Sequence, residues 1–146
     1  PLIPLPPPPR FPPSSLPQVL ECVTWPNTLL EARADERRAQ FFAGDWRGLS
    51  PLLERATPGG RFDRVVSAET VYTLEAAEQM ATLVSRHLAR PHGIALIGAK
   101  RYYFGTGGSI AAFREALNPA LVCEAARVID DGHSNIREVL RVRWRA

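Results

Sequence analysis

The sequence predicts an α/β domain whose sheet is parallel except for an antiparallel pair at its end. Three observations carry this. The run FDRVVSAETVY (62–72), with a strand through Val65 and Val66, is followed by a helical stretch (74–90) and a second apolar run, IALIGA (94–99). A strand, helix and strand of these lengths make a right-handed crossover between parallel strands. Leu140, Val142 and Trp144 then alternate with Arg141, Arg143 and Arg145, so the final strand has one apolar and one charged face. Asp131-Gly132 suits the turn that folds it back on LVCEAARVID.

Taken in order, residues 1–17 (PLIPLPPPPRFPPSSLP) hold nine prolines. Such a stretch favours extended polyproline II and reads as a disordered tail, with the globular part expected over 18–146. VLECVTWPNTLLEARADERRAQ (19–40) reads as helix, interrupted near Pro26, with Asn27 or Thr28 capping the helix that resumes. FFAG (41–44) is a short apolar run ended by glycine and is expected to be a buried strand. A short helix fits 50–56. After the strand through Val65, the positions Leu74, Ala77, Ala81, Val84 and Leu88 recur at helical spacing, and Pro91 and Gly93 end that helix. IALIGA is bounded by breakers, and SIAAFREAL (109–117) is a helix with Ser109 as its cap.

The 146 residues suit one domain, and 45% apolar with 23% charged residues is a soluble, globular balance. The net charge is +3, and Lys100 is the only lysine among 18 basic residues. So small an excess reads as a solvated face, without direct nucleic-acid or membrane partners. No apolar run approaches the ~18 residues of a membrane span, and no charged start followed by an apolar core marks a signal peptide. Cys22 and Cys123 stand far apart without metal spacing, as expected of a reduced intracellular protein with no metal site.

In open parallel sheets ligands bind beyond the carboxyl ends of the strands, which directs attention to 44–46, 67–70 and 100–108. Asp45 can accept a hydrogen bond from an exocyclic amine such as that of adenine, with Trp46 against the ring, or the two are a loop acid and a packing tryptophan. Glu69 is either a general base or substrate anchor, or an acid favoured by a helix N-terminus. Gly105, Gly107 and Gly108 miss the GxGxxG pattern because Ile110 stands at its third glycine, and GK[ST] is lacking. The turn therefore reads as a place where backbone approaches a ligand, with Tyr102, Tyr103 and Phe104 as one wall. His87, His92 and His133 match no metal pattern and read as surface or structural groups. Cys22 and Cys123 read as small buried apolar residues.

ECVTWPN (21–27), FFAGDW (41–46), FDRVVSAETVY (62–72) and AKRYYFGTGGS (99–109) resemble successive blocks of the protein-histidine methyltransferases, the methyltransferase-like 18 family. The resemblance runs over about 19–146, and KRYYFGTGGS and SAETVY are its specific blocks. It implies a Rossmann-like class I methyltransferase with S-adenosylmethionine as cofactor and a sheet ordered 3-2-1-4-5-7-6, strand 7 antiparallel. The chain would hold strands 3–7 of it. The activity implied is methyl transfer to a ring nitrogen of histidine in a protein, typically a ribosomal one, by a monomer of cytoplasm and nucleus. By position, Gly44, Asp45 and Trp46 match adenine-side contacts and Ala68 a residue beside the cofactor. Glu69, Thr70, Tyr72, Tyr103, Gly105, Gly107 and Gly108 would line the substrate side, with Glu69 and Tyr103 as the expected catalytic pair, Glu69 holding the other ring N–H and Tyr103 walling the ring.

The family's glycine-rich cofactor loop and ribose-binding acid precede the region matched here, where this sequence has its proline-rich stretch. The chain is therefore expected to be a C-terminal portion that binds the cofactor poorly. Two other readings stay open: a non-catalytic fragment that serves as an interaction module, and a methyltransferase of the same fold acting on lysine or a small molecule.

Overall fold

The computed structural model describes residues 19–32, 40–42, 44–133 and 135–146; the proline-rich stretch lies outside them. The chain divides into two compact units, with the boundary between Leu52 and Leu53.

In the first unit a π-helical turn, Leu20–Thr24, runs into helix α1, Trp25–Ala32. Pro26 is the second residue of α1, and the wider π-helical turn stands just before it, where proline has no N–H to give the preceding turn. The expected cap does not form: the Thr28 hydroxyl donates 2.8 Å back to the Thr24 carbonyl. Trp25 is buried and meets Phe41 edge-on, with ring centroids 5.5 Å apart. Its indole N–H finds no partner among the described residues. Of the strand expected at 41–44, Phe41, Phe42 and Gly44 lie in irregular backbone, and Ala43 lies outside the described residues. A buried strand must satisfy its N–H and C=O groups on a neighbour, and among the described residues none pairs with this segment. A 3-10 turn, Trp46–Gly48, then leads into helix α2, Leu49–Ala56, which crosses the boundary between the units.

The second unit is built on a four-stranded sheet. In chain order it holds β1 (Arg64–Ala68), α3 (Leu74–His87), β2 (Ile94–Lys100), α4 (Ile110–Ala116), β3 (Leu121–Ile129) and β4 (Arg137–Trp144). The sheet order is β1-β2-β4-β3. β1 and β2 are parallel, and β4 runs antiparallel to both β2 and β3. This mixed sheet with flanking helices is consistent with the 4-5-7-6 side of the expected sheet, with the last strand antiparallel as anticipated.

Ala95, Ile97 and Ala99 are buried on one face of β2, with Leu140 and Val142 of β4 as their pairs and neighbours. The helices bury matching stripes: Ala77, Met80, Ala81 and Val84 from α3, and Ile110 and Phe113 from α4. Leu74, expected in that stripe, is exposed, because it opens the helix just after the Thr73 cap. Ser109 caps α4 as expected, its hydroxyl accepting from the Ala112 N–H at 3.1 Å. His87 is buried and structural: its Nδ1 lies 2.6 Å from the Gly60 carbonyl. On the other face of the sheet Val66 is 78% exposed, and Leu96 beside it is also accessible. Cys22 is exposed, contrary to expectation. Cys123 is half-buried, and burial pushes its thiol pKa up, which keeps it from being a ready nucleophile.

The buried carboxylate of the unit is Glu138 on β4. It accepts from Arg101 Nε at 2.8 Å, and Arg114 Nη2 lies 3.5 Å away. Both arginines remain partly exposed, so water screens them if the acid is lost. Glu138→Ala is therefore expected to destabilise the unit by about 1–3 kcal/mol, less than breaking a fully buried pair. Urea unfolding of the two proteins measures this.

Candidate functional site

The parallel pairing of β1 with β2 sets Ala68 opposite Gly98. The ladder carries one residue further, where the Glu69 N–H donates to the Gly98 carbonyl at 2.8 Å. There the chain turns sharply. Glu69 has φ 55, the one non-glycine residue with positive φ among those described. Such a conformation costs on the order of 1–3 kcal/mol and persists where surrounding contacts impose it, often at functional sites. Here the Ser67 and Thr70 hydroxyls bond one another across the turn. Glu69 is not part of a helix: α3 begins five residues later, capped by Thr73, which accepts from the Ala76 N–H at 3.0 Å.

Tyr103, just past the end of β2, reaches back to this turn. Its hydroxyl donates to Glu69 Oε2 at 3.1 Å and accepts from the Lys100 N–H at 3.1 Å. Lys100 Nζ stands 3.7 Å from the same Glu69 oxygen and 5.7 Å from the centre of the Tyr103 ring. Carboxylate, phenol and ammonium thus meet at the carboxyl ends of two parallel strands. Lys100 belongs to this group although sequence reasoning gave it no role; being the only lysine, at a strand end, was the available signal.

The glycine-rich turn is strapped beside the cluster. Tyr103 N–H donates to the Gly108 carbonyl at 3.2 Å, Thr106 donates its hydroxyl to the Tyr72 carbonyl, and Thr73 bridges Gly107. Gly105 and Gly107 take φ 79 and 74, where residues with a Cβ are strained. The expected aromatic wall is divided. Tyr103 turns to Glu69, whereas Tyr102 is exposed and Phe104, at the tip, is 89% exposed. Tyr72 is exposed beside them. Thr70 is half-buried with its hydroxyl on Ser67, and Ala68 is exposed at the end of β1.

In the first unit Asp45 caps the 3-10 turn, its Oδ1 accepting from the Arg47 N–H at 2.9 Å. Gly44 and Asp45 are exposed and Trp46 is half-buried.

Burial pushes the Tyr103 phenol above its usual 10.0; the Lys100 N–H draws it down and the Glu69 carboxylate pushes it up again. The folded state therefore holds this proton more tightly than the unfolded chain does. The stability that this confers is whole below about pH 10 and is lost as pH rises through the folded value. Ultraviolet titration should show a phenolate component above pH 10 that Tyr103→Phe removes.

The chain is 34% identical over 127 residues to a protein of Dictyostelium discoideum named histidine protein methyltransferase 1 homolog, covering 86% of this chain and 39% of that protein. The chain is a homologue of the histidine protein methyltransferase 1 proteins. A Schizosaccharomyces pombe member is 31% identical over 96 residues, covering 65% of this chain and 25% of its own length. A Mus musculus member is 28% identical over 97 residues, covering 65% and 26%. The homology reaches most of this chain, while the chain spans less than two fifths of each of these relatives. No protein-family profile matches it. The homology supports a methyltransferase-like class.

Proposed function

We propose that the Glu69–Tyr103–Lys100 cluster forms the substrate side of an S-adenosylmethionine-dependent methyltransferase site that modifies a histidine ring nitrogen in a protein, a ribosomal protein by the family resemblance. The observation that carries this reading is the Tyr103–Glu69 hydrogen bond at the paired strand ends, in a chain homologous to histidine protein methyltransferases.

The residues fit that cofactor. Ala68 is exposed and carries only a methyl group, which leaves room at the end of β1. Glu69 and the Tyr103 ring offer a cation both an anion and a π face. When bound, S-adenosylmethionine supplies a methyl group already activated on sulfur.

The protein's task is then alignment and proton management. A histidine ring must present one nitrogen with its lone pair free and keep its proton on the other. Glu69 accepts that N–H and fixes the tautomer. Its placement is set by Tyr103, whose hydroxyl donates to it, and by the Lys100 ammonium. Transfer would break the cofactor's S–CH3 bond, sulfur leaving as a neutral thioether, and would put positive charge on the ring; Glu69 would stabilise that charge, then take the N–H proton and pass it to solvent. The exposed Phe104 and Tyr72 on the strapped turn offer apolar contact to a protein chain brought to the site.

Cofactor affinity is expected to be weaker than micromolar, since at the paired strand ends Ala68 supplies only a methyl-sized contact; calorimetry measures it. At cofactor levels shown to saturate, the expected product is methyl-histidine in a ribosomal protein, located by peptide mass mapping. Glu69→Gln and Tyr103→Phe should each lower kcat by about 100-fold. Methylation of lysine or of a small molecule, or no transfer at saturation, would refute the reading.

A further inference from the structure

The edge of the sheet at β3 carries a pattern that the proposed methyl-transfer site does not use. β3 is last in the order β1-β2-β4-β3, so its outer row of N–H and C=O groups has no strand beside it among the described residues. An open edge is a template for another strand. The second half of β3 is also apolar where it meets solvent. Val128 is 50% exposed and Ile129 44% exposed, and Ala125 and Ala126 before them are exposed too.

The pairing with β4 fixes which side chain lies on which face. Ala125 pairs with Leu140 and Arg127 with Val139, so Ala126 is an extra residue, a β-bulge. Glu124, opposite Arg141, and Arg127, opposite Val139, therefore lie on one face, although a regular strand sets residues three apart on opposite faces. By the same register Val122 and Ile129 share that face, and Cys123 and Val128 share the other.

We propose that β3 pairs antiparallel with β3 of a second copy of this chain, about a two-fold axis through the bulge. Glu124 then lies opposite Arg127 of the other copy, Cys123 opposite Val128, and Val122 opposite Ile129. The bulge puts the members of each pair on the same face, and the symmetry makes each pair twice. The small Ala125 and Ala126 fall at the axis.

Charge selects this occupant. Arg127 is exposed, and no carboxylate holds it among the described residues. Glu124 gives Oε1 to Arg141 and Arg143 and keeps Oε2 for a further donor. A charge on an edge ordinarily deters pairing. Here opposite signs stand at mirror positions, so the deterrent acts on other strands and becomes an attraction between copies. β1, the opposite edge, has no such match: paired on itself about its middle residue, Val66, it would set Asp63 against Glu69. One pair of edge strands makes a small interface, and those below about 1,200 Å² are weak. The monomer implied by the family resemblance is then the dilute form. The inference does not depend on the methyl-transfer reading.

Sedimentation equilibrium of the whole chain, from micromolar to millimolar concentration, tests it. The expected result is a monomer that passes to a dimer, with amide exchange slowed at residues 122–129 and unchanged at 64–68. Ile129→Lys should weaken the dimer about tenfold or more, and so should Arg127→Glu, which opposes two carboxylates at two places. Glu124→Lys opposes two cations and should do the same. Mixed in equal amounts, the Arg127→Glu and Glu124→Lys chains oppose unlike charges at both places and should associate about as well as the parent. A parent that stays monomeric at millimolar concentration would overturn the proposal. So would protection at 64–68 in place of 122–129, a dimer indifferent to Ile129→Lys and Arg127→Glu (both at exposed positions), or charge-reversed chains that associate no better together than apart.

Discussion

Phe113→Ala is expected to destabilise the sheet unit by about 3–5 kcal/mol, the cost of removing a large ring from a site that cannot collapse around the void. Phe113 is the largest fully buried side chain among the described residues, at 0% exposure, and it lies on α4, the helix that packs with α3 over the sheet. Domains of this size have only about 5–15 kcal/mol in total, so the variant should sit near its unfolding midpoint in conditions where the parent is folded. Phe104→Ala is the internal comparison. The same side chain is removed nine residues earlier, from a position 89% exposed, and the expected change is within about 0.5 kcal/mol. Urea unfolding of both variants decides it. A loss under 1 kcal/mol at Phe113 would show that α4 does not pin the core.

The contrast between these two phenylalanines marks what the sequence made legible. Periodicity reports which face of an element is apolar, and it located β4, α3 and α4 because each has a single buried stripe. It also placed the Ser109 cap and the antiparallel end of the sheet. It failed at residues 41–44, where the apolar run was right but a strand also needs a partner, and pairing is not a property of the run itself. In YYF, three adjacent aromatic residues were read as one wall. The backbone turns between them, so Tyr103 meets Glu69 while Phe104 points to solvent.

The candidate site was legible in position and not in wiring. The rule that ligands gather at strand ends pointed to 67–70 and 100–108, and Glu69, Tyr103 and Lys100 do converge there. The positive φ of Glu69 had no sequence signal, because glutamate is not a residue chosen for that conformation. It follows from the local Ser67–Thr70 bond and the ladder bond to Gly98, the second of which depends on strands brought together from distant parts of the chain. Thr70, expected beside the substrate, bonds Ser67 across the turn.

That wiring makes Gly108→Ala the second large effect, with an expected cost of about 3 kcal/mol or more. A Cβ at residue 108 would lie 2.2 Å from the Tyr72 carbonyl carbon and 2.4 Å from the Val71 and Tyr72 oxygens. All three are backbone atoms, so no rotamer change relieves the clash, and the cost exceeds the 1–3 kcal/mol typical of an overfilled core. The strap must lift from Val71–Thr73, and the Tyr103 N–H then loses the Gly108 carbonyl. With it goes the placement of the Tyr103 hydroxyl on Glu69. Amide exchange should accelerate at residues 101–109 in the variant, and the phenolate titration of Tyr103 should move down toward 10.0 as burial and the Glu69 bond are lost. Gly107→Ala separates the two causes. It has open space at its Cβ but φ 74, so it should cost only about 1–2 kcal/mol, from backbone strain, and leave Tyr103 in place. Equal effects at 107 and 108 would show that backbone strain, and not the tight seating of the turn on Val71 and Tyr72, is what positions the Tyr103–Glu69 pair.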